Sequence, residues 1–113
     1  MDFDKIVRDN IAAIITRHGR KFITRQVGDR EAVYYLIKKL HEEADEIYKA
    51  WDGGEGEGRM IEELADVMEC VRGIASKMSV LMDRIDWERE NKAIQNGRFE
   101  TNTILVSMEG DKF

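Results

Sequence analysis

Proline is absent from the 113 residues, and cysteine occurs once, at Cys70. A lone cysteine excludes an internal disulfide. Without proline, and with Asp52 to Gly58 as the longest irregular stretch, little room is left for linkers, repeats or low-complexity tails. Histidine is scarce too. His18 and His41 have no evident partner and Cys70 reads as a core residue, so nothing suggests a covalent intermediate. No apolar run reaches the roughly 18 residues of a membrane span or resembles a signal peptide. Positive charge is in deficit: 18 Lys and Arg stand against 23 Asp and Glu, a formal charge of -5. That argues against a nucleic-acid polymer as partner, since counterion-release binding needs clustered basic residues. The expectation is a soluble cytoplasmic protein, without membrane contact, folded as a single domain over 1–113. A chain of this length buries about two-thirds of its unfolded surface.

What the sequence has is helical patterning. Ile6, Val7, Ile11, Ile14 and Ile15 predict a short first helix, stopped by Gly19 in the left-handed conformation that glycine adopts cheaply. Val33, Leu36, Ile37, Leu40, Ala44, Ile47 and Trp51 form one stripe of a second helix with Asp29 as its N-cap. Gly53, Gly54, Gly56 and Gly58 let the chain reverse, so a third helix returns antiparallel, with Ile61, Leu64, Ala65, Met68, Val71, Ala75 and Met78 as its core stripe. A fourth helix covers Leu81 to Asn96, with Leu81, Ile85, Ala93, Ile94 and Trp87 inward and Gly97 as its stop. Lys21–Val27 alternates at no helical period and reads as extended, and Thr101–Val106 is rich in β-branched residues. They are candidates for a small accessory two-stranded sheet. The fold class expected is all-α, a four-helix bundle.

Two acidic clusters lie on these helices, Glu42, Glu43 and Glu46 on the second and Glu62, Glu63 and Asp66 on the third. Each like-charge pair at helical spacing costs roughly 0.2–0.5 kcal/mol unless a cation neutralises it. At about 100° per residue, Glu43 falls at the margin of its stripe, with Glu46, Lys39 and Glu42 farther round. Glu63 shares an azimuth with Val67, Cys70 and Ile74 and is expected against apolar neighbours. Asp66 follows one turn on, where Cys70 and Gly73 would leave room for a metal and its waters. Oxygen ligands alone favour Mg²⁺, or Mn²⁺, over softer ions. A carboxylate near apolar surface can have its pKa raised toward that of a useful base. Glu42 and Glu43 are the catalytic candidates on that ground.

The pair of motifs, E-E-x-x-E at Glu42 to Glu46 and E-x-x-D at Glu63 to Asp66, resembles the signature of the all-α nucleoside triphosphate pyrophosphohydrolases, the MazG-type superfamily. The opening FDKIVRDNI is similar to the K-L-V-R-D-K-I of its phosphoribosyl-ATP pyrophosphohydrolase-like branch, and KAIQNGRFETNTIL is similar to that branch's closing segment. Asn10, Ala12 and the run Asn96 to Phe99 depart from the branch pattern. The resemblance implies a four-helix core and Mg²⁺-dependent hydrolysis of a nucleoside triphosphate, or a related nucleotide, to monophosphate and pyrophosphate. Such an activity would suit the house-cleaning of a nucleotide pool. It further implies that Glu43, Glu46, Glu63 and Asp66 are metal ligands, with Glu42 a ligand or a group orienting one. Lys5, Arg8, Lys92 and Arg98 match basic positions that approach the triphosphate, and Lys39 is assigned to substrate binding with them. A homo-oligomer, dimer or tetramer, is implied as well, and the apolar residues Ile74, Met78, Val80, Leu81 and Met82 offer it a surface.

Two other readings compete. A di-iron carboxylate bundle expects E-x-x-H on two helices, yet Asp45, Glu46 and Asp66 stand three residues after Glu42, Glu43 and Glu63. A catalytically silent regulatory or interaction module of the same fold is the alternative from outside enzymology.

Overall fold

The computed structural model describes residues 4–110. Phe3, which opens the FDKIVRDNI motif, and both extremes of the 1–113 domain assignment lie outside the described residues. The fold is all-α: helices α1 (Ile11–Arg17), α2 (Asp29–Asp52), α3 (Glu57–Lys77) and α4 (Met82–Asn96). None of these helices is long and apolar enough to cross a membrane. The chain divides into two compact units between Met82 and Asp83.

In the first unit, the long helices α2 and α3 pack against each other with their directions opposed. Lys77 at the end of α3 lies 3.8 Å from Asp29 at the start of α2, and Arg59 at the start of α3 lies 3.9 Å from Glu46. Glycine makes the reversal possible, since Gly54 and Gly56 both take positive φ, at 63° and 95°. Asp29 is the first helical residue rather than the cap, which is Gly28.

Small side chains line the helix contact. The buried apolar residues are Ala32, Ala50, Cys70 and Ala75, and a Cβ on Gly73 would stand 3.2 Å from Leu36 Cδ1. Leu36 thus fills the space beside Gly73 expected to take a metal and its waters. The larger apolar residues expected in the core are elsewhere: Trp51, Ile61, Met68 and Met78 are each more than half exposed, and Ile37 and Leu64 are exposed too. Apolar periodicity locates an apolar face, but the apolar residues most fully withdrawn from solvent are the small ones. Ala32, Leu36, Lys39, Glu43, Glu46 and Ala50 follow one another at spacings of four and three, and all are buried or half-buried. Glu43 therefore stands on the packed face and not at its margin.

The first helix begins at Ile11 and not at Ile6. The irregular segment before it brings Lys5 to Glu42 on α2 and Arg8 to Asp66 on α3. Gly19 closes α1 as expected, at φ 70°. Its N–H donates to the Thr16 carbonyl and that of Arg20 to the Ile15 carbonyl, the paired bonds of a Schellman cap.

The accessory sheet is not present, and there is no strand among the described residues. Ile23, Ile104 and Val106 are at least four-fifths exposed. β-Branched composition suits a half-buried pleated surface and supplies no pairing partner of its own. Residues 21–27 are held by a side chain instead. Arg25 donates to Glu31 Oε2 at 3.0 Å and to the Tyr35 hydroxyl at 2.9 Å.

The second unit contains α4 and the segment that follows. Gly97 takes φ 86° and donates its N–H to the Ala93 carbonyl at 2.8 Å, ending the helix where expected. Arg89 pairs with Asp86 and Glu90. Leu81, Trp87 and Ile94, expected inward, are about two-thirds exposed or more, while Ile85 and Ala93 are half-buried.

Candidate metal centre

Three carboxylates from two helices converge. Glu43 of α2 and Glu63 and Asp66 of α3 each offer one oxygen, and the three oxygens lie within 4.8 Å of one another. On α3, Glu63 and Asp66 share a face because they are three residues apart. On α2, Glu43 falls on the same four-three ladder as Leu36 and Ala50, so helix packing itself brings it to them. Glu63 is only 2 % exposed and the side chain of Glu43 12 %.

Burial at this depth is costly for carboxylates, and each has found a basic neighbour. Glu63 Oε1 pairs with Arg59 Nη2 at 2.6 Å, Asp66 Oδ1 accepts from Arg8 Nη2 at 2.9 Å, and Glu43 Oε1 lies 3.6 Å from Lys39 Nζ. Glu42 and Lys5 stand 3.7 Å apart. Glu46, one turn beyond Glu43, pairs with Lys49 and approaches Arg59. The pairing is incomplete. Glu63 Oε2 is buried without a hydrogen-bond partner. Unpaired buried oxygens of this kind are rare in folded proteins, because the desolvation penalty is about 1–3 kcal/mol and larger for a charged group. Either a proton shared with the adjoining Glu43 carboxyl or a cation would satisfy it.

The first remedy leaves its mark on Glu43. Burial raises its pKa above the ordinary value of 4.5, and the bond that its protonated form can make to Glu63 and the negative charge of Asp66 push the same way, against Lys39. Folded Glu43 therefore holds a proton to higher pH than an unfolded glutamate does. Its contribution to stability is greatest below the ordinary value and is lost as pH rises through the raised one. In cation-free protein, the thermal midpoint of Glu43→Gln is expected to gain on that of wild type as pH climbs from 4.5. Circular dichroism melts across pH would read this, and a constant difference would contradict it.

The centre opens to solvent through a cleft of about 230 Å³ lined by Val7, Arg8, Ile11, Lys39, Glu43 and Asp66. An adjoining hollow of about 220 Å³ is bordered by Lys5, Tyr35, Lys38, Lys39 and Glu42. Three of the basic residues assigned to substrate, Lys5, Arg8 and Lys39, thus border the acids directly. The other two, Lys92 and Arg98, belong to the second unit, where Lys92 is exposed and Arg98 pairs with Glu90. Cys70 is buried, 3 % exposed, and burial raises its thiol pKa.

Sequence reasoning missed Arg59, although the signal was legible in R-M-I-E-E: an arginine three and four residues before two glutamates can reach both on one helix face. It pairs with Glu62 at 3.0 Å as well as with Glu63.

The donor set fits a hard divalent cation, with oxygen ligands only, more than one of them ionisable, and one buried oxygen without a partner. Comparison with protein-family models, curated proteins and solved structures found no match.

Proposed function

We propose that this chain is a divalent-cation-dependent nucleotide pyrophosphohydrolase of the MazG type, which hydrolyses a nucleoside triphosphate or related nucleotide to monophosphate and pyrophosphate in the cytoplasmic pool. The observation that carries the reading is the convergence of Glu43, Glu63 and Asp66 around an unpartnered buried oxygen. These residues occupy the acidic positions of the motif pair that resembles that superfamily. In this reading they would hold Mg²⁺ or Mn²⁺, with Glu46 and Glu42 alongside. The bound ion supplies Lewis-acid polarisation of phosphate oxygens and orients a water.

The remaining chemistry falls to the protein's own groups. Arg8 and Lys39 line the cleft beside the acids and offer cationic donors to phosphate oxygens. Glu43, with its raised affinity for protons, and Glu42 are the candidate acceptors of the water's proton. At about 230 Å³ the cleft is smaller than the roughly 300–1,000 Å³ of pockets that enclose a small molecule. It suits the phosphate end of a substrate, and base and sugar would be held outside it.

The test is chromatographic identification of products from canonical and modified nucleoside triphosphates, with Mg²⁺ and with chelator. Monophosphate plus pyrophosphate, lost with chelator, is the expected outcome. Turnover that survives chelation would overturn the reading, and no turnover by protein that binds the cation would favour the silent regulatory module.

Self-association belongs to the same proposal. Tyr34, Ile37, Tyr48 and Trp51 on α2, and Ile61, Leu64 and Met68 on α3, leave large apolar side chains in solvent at spacings of three, four or their sums. A second copy would cover them. Light scattering at micromolar concentration is expected to give at least twice the chain mass of 13.1 kDa, and Met68→Glu to reduce it to one chain. A monomeric wild type would refute the dimer.

A further inference from the structure

Among the described residues, Arg59 is the one basic residue paired with the most deeply buried acid. Its guanidinium lies 2.6 Å from Glu63 Oε1, 3.9 Å from Glu46 Oε2 and 3.0 Å from Glu62 Oε2, so it spans acids on both helices. The two partners of the Glu63 pair are unlike in exposure. Glu63 is sealed, whereas the Arg59 side chain is 40 % exposed. A long side chain rooted at the helix surface can withdraw its charged head into water at little cost, while a buried carboxylate cannot. The second oxygen of Glu63 has no partner even with Arg59 in place. One guanidinium therefore compensates half of a carboxylate that a divalent cation would engage more fully.

Resting on the metal reading above, we propose that Arg59 is the resident counter-ion of this centre, which a divalent cation displaces from Glu63 on binding. Arg59 is then a positioning residue. It holds Glu63 turned toward the centre, and it sets the threshold of cation affinity by competing for the same oxygen. The displaced guanidinium remains at the head of α3, tethered to Glu62, which is exposed and outside the converging triad.

The consequence is a gain on removal, the reverse of what a ligand or a structural support would give. Mn²⁺ binding, measured by electron paramagnetic resonance or calorimetry at pH 8, is expected to tighten about tenfold in Arg59→Ala, the order of a charge-assisted pair that no longer has to be broken. Arg59→Lys, which keeps the charge, should bind close to wild type. In wild-type protein labelled with ¹⁵N, the Arg59 guanidinium resonances should shift and sharpen on Mg²⁺ addition as the pair with Glu63 opens. This readout does not depend on the variant folding. Unchanged or weaker Mn²⁺ affinity in Arg59→Ala, or Arg59 resonances indifferent to Mg²⁺ while the ion binds, overturns the counter-ion role and leaves the metal centre standing. No binding to either protein removes the metal centre and the counter-ion together.

Discussion

Glu63→Met is expected to raise the thermal midpoint of the cation-free protein while abolishing divalent-cation binding. A carboxylate only 2 % exposed has surrendered nearly all of its hydration. In return it has one ion pair, with an arginine that is itself 40 % exposed, so solvent screens much of the attraction. Its other oxygen has no partner, and a second carboxyl, that of Glu43, adjoins it. Exchanging a buried ionic group for a well-packed apolar one of similar volume is often neutral or stabilising by about 1–4 kcal/mol. Methionine has the flexibility to fill the site. At the low end of that range the midpoint of a domain of 60–100 residues rises by about 4–8 °C. Arg59, left without its partner, can stay hydrated where it is. Scanning calorimetry with and without Mg²⁺ checks both halves of the expectation. A lower midpoint would mean that Glu63 holds the helices together and is not retained for function at a cost in stability.

Asp66→Asn and Glu43→Gln are expected to lower Mg²⁺-dependent pyrophosphate release at least about a hundredfold with the fold intact. Asparagine at 66 can still accept the hydrogen bond that Arg8 now donates to Oδ1, and glutamine at 43 removes a carboxyl whose ionised form costs stability. Either amide gives up the negative charge that makes a carboxylate the stronger ligand for a hard cation. Electrostatic stabilisation by a bound metal is worth several kcal/mol, and a loss of about 2.7 kcal/mol is a factor of about a hundred in rate. Glu62→Gln is the control, since that side chain is 68 % exposed and its contact is with Arg59. It should stay within about threefold of wild type, as surface substitutions usually do little. Activity in Asp66→Asn within tenfold of wild type would sink the proposed centre.

Several parts of this arrangement were legible in the sequence. Helical spacing placed Glu63 and Asp66 on one face, and the azimuth shared with Cys70 anticipated the burial of Glu63. The glycine run announced the reversal between α2 and α3. Gly19 and Gly97 marked two helix ends. The packed face was misread because pattern analysis follows the largest apolar side chains. Ile61, Leu64 and Met68 carry the apolar period of α3 yet are exposed, whereas Ala32, Ala50 and Ala75 are buried and Gly73 lies against Leu36. The same error put Glu43 at the edge of its helix's inner face. The ion pairs were invisible for a different reason. Whether Arg8 meets a phosphate or Asp66 depends on where the irregular segment before α1 crosses the helices, and no local spacing encodes that crossing.

The single thiol turns this packing into a clock. With only 3 % of Cys70 exposed, a thiol reagent must wait for the packing around α3 to open before it can react. Modification of the native protein therefore reports how often the helices breathe, with no label introduced and no residue changed. A cation gripping Glu43 on one side and Glu63 and Asp66 on the other would stitch the same seam, one turn away. The waiting time should then lengthen with metal concentration, giving a measure of occupancy that requires neither a substrate nor turnover.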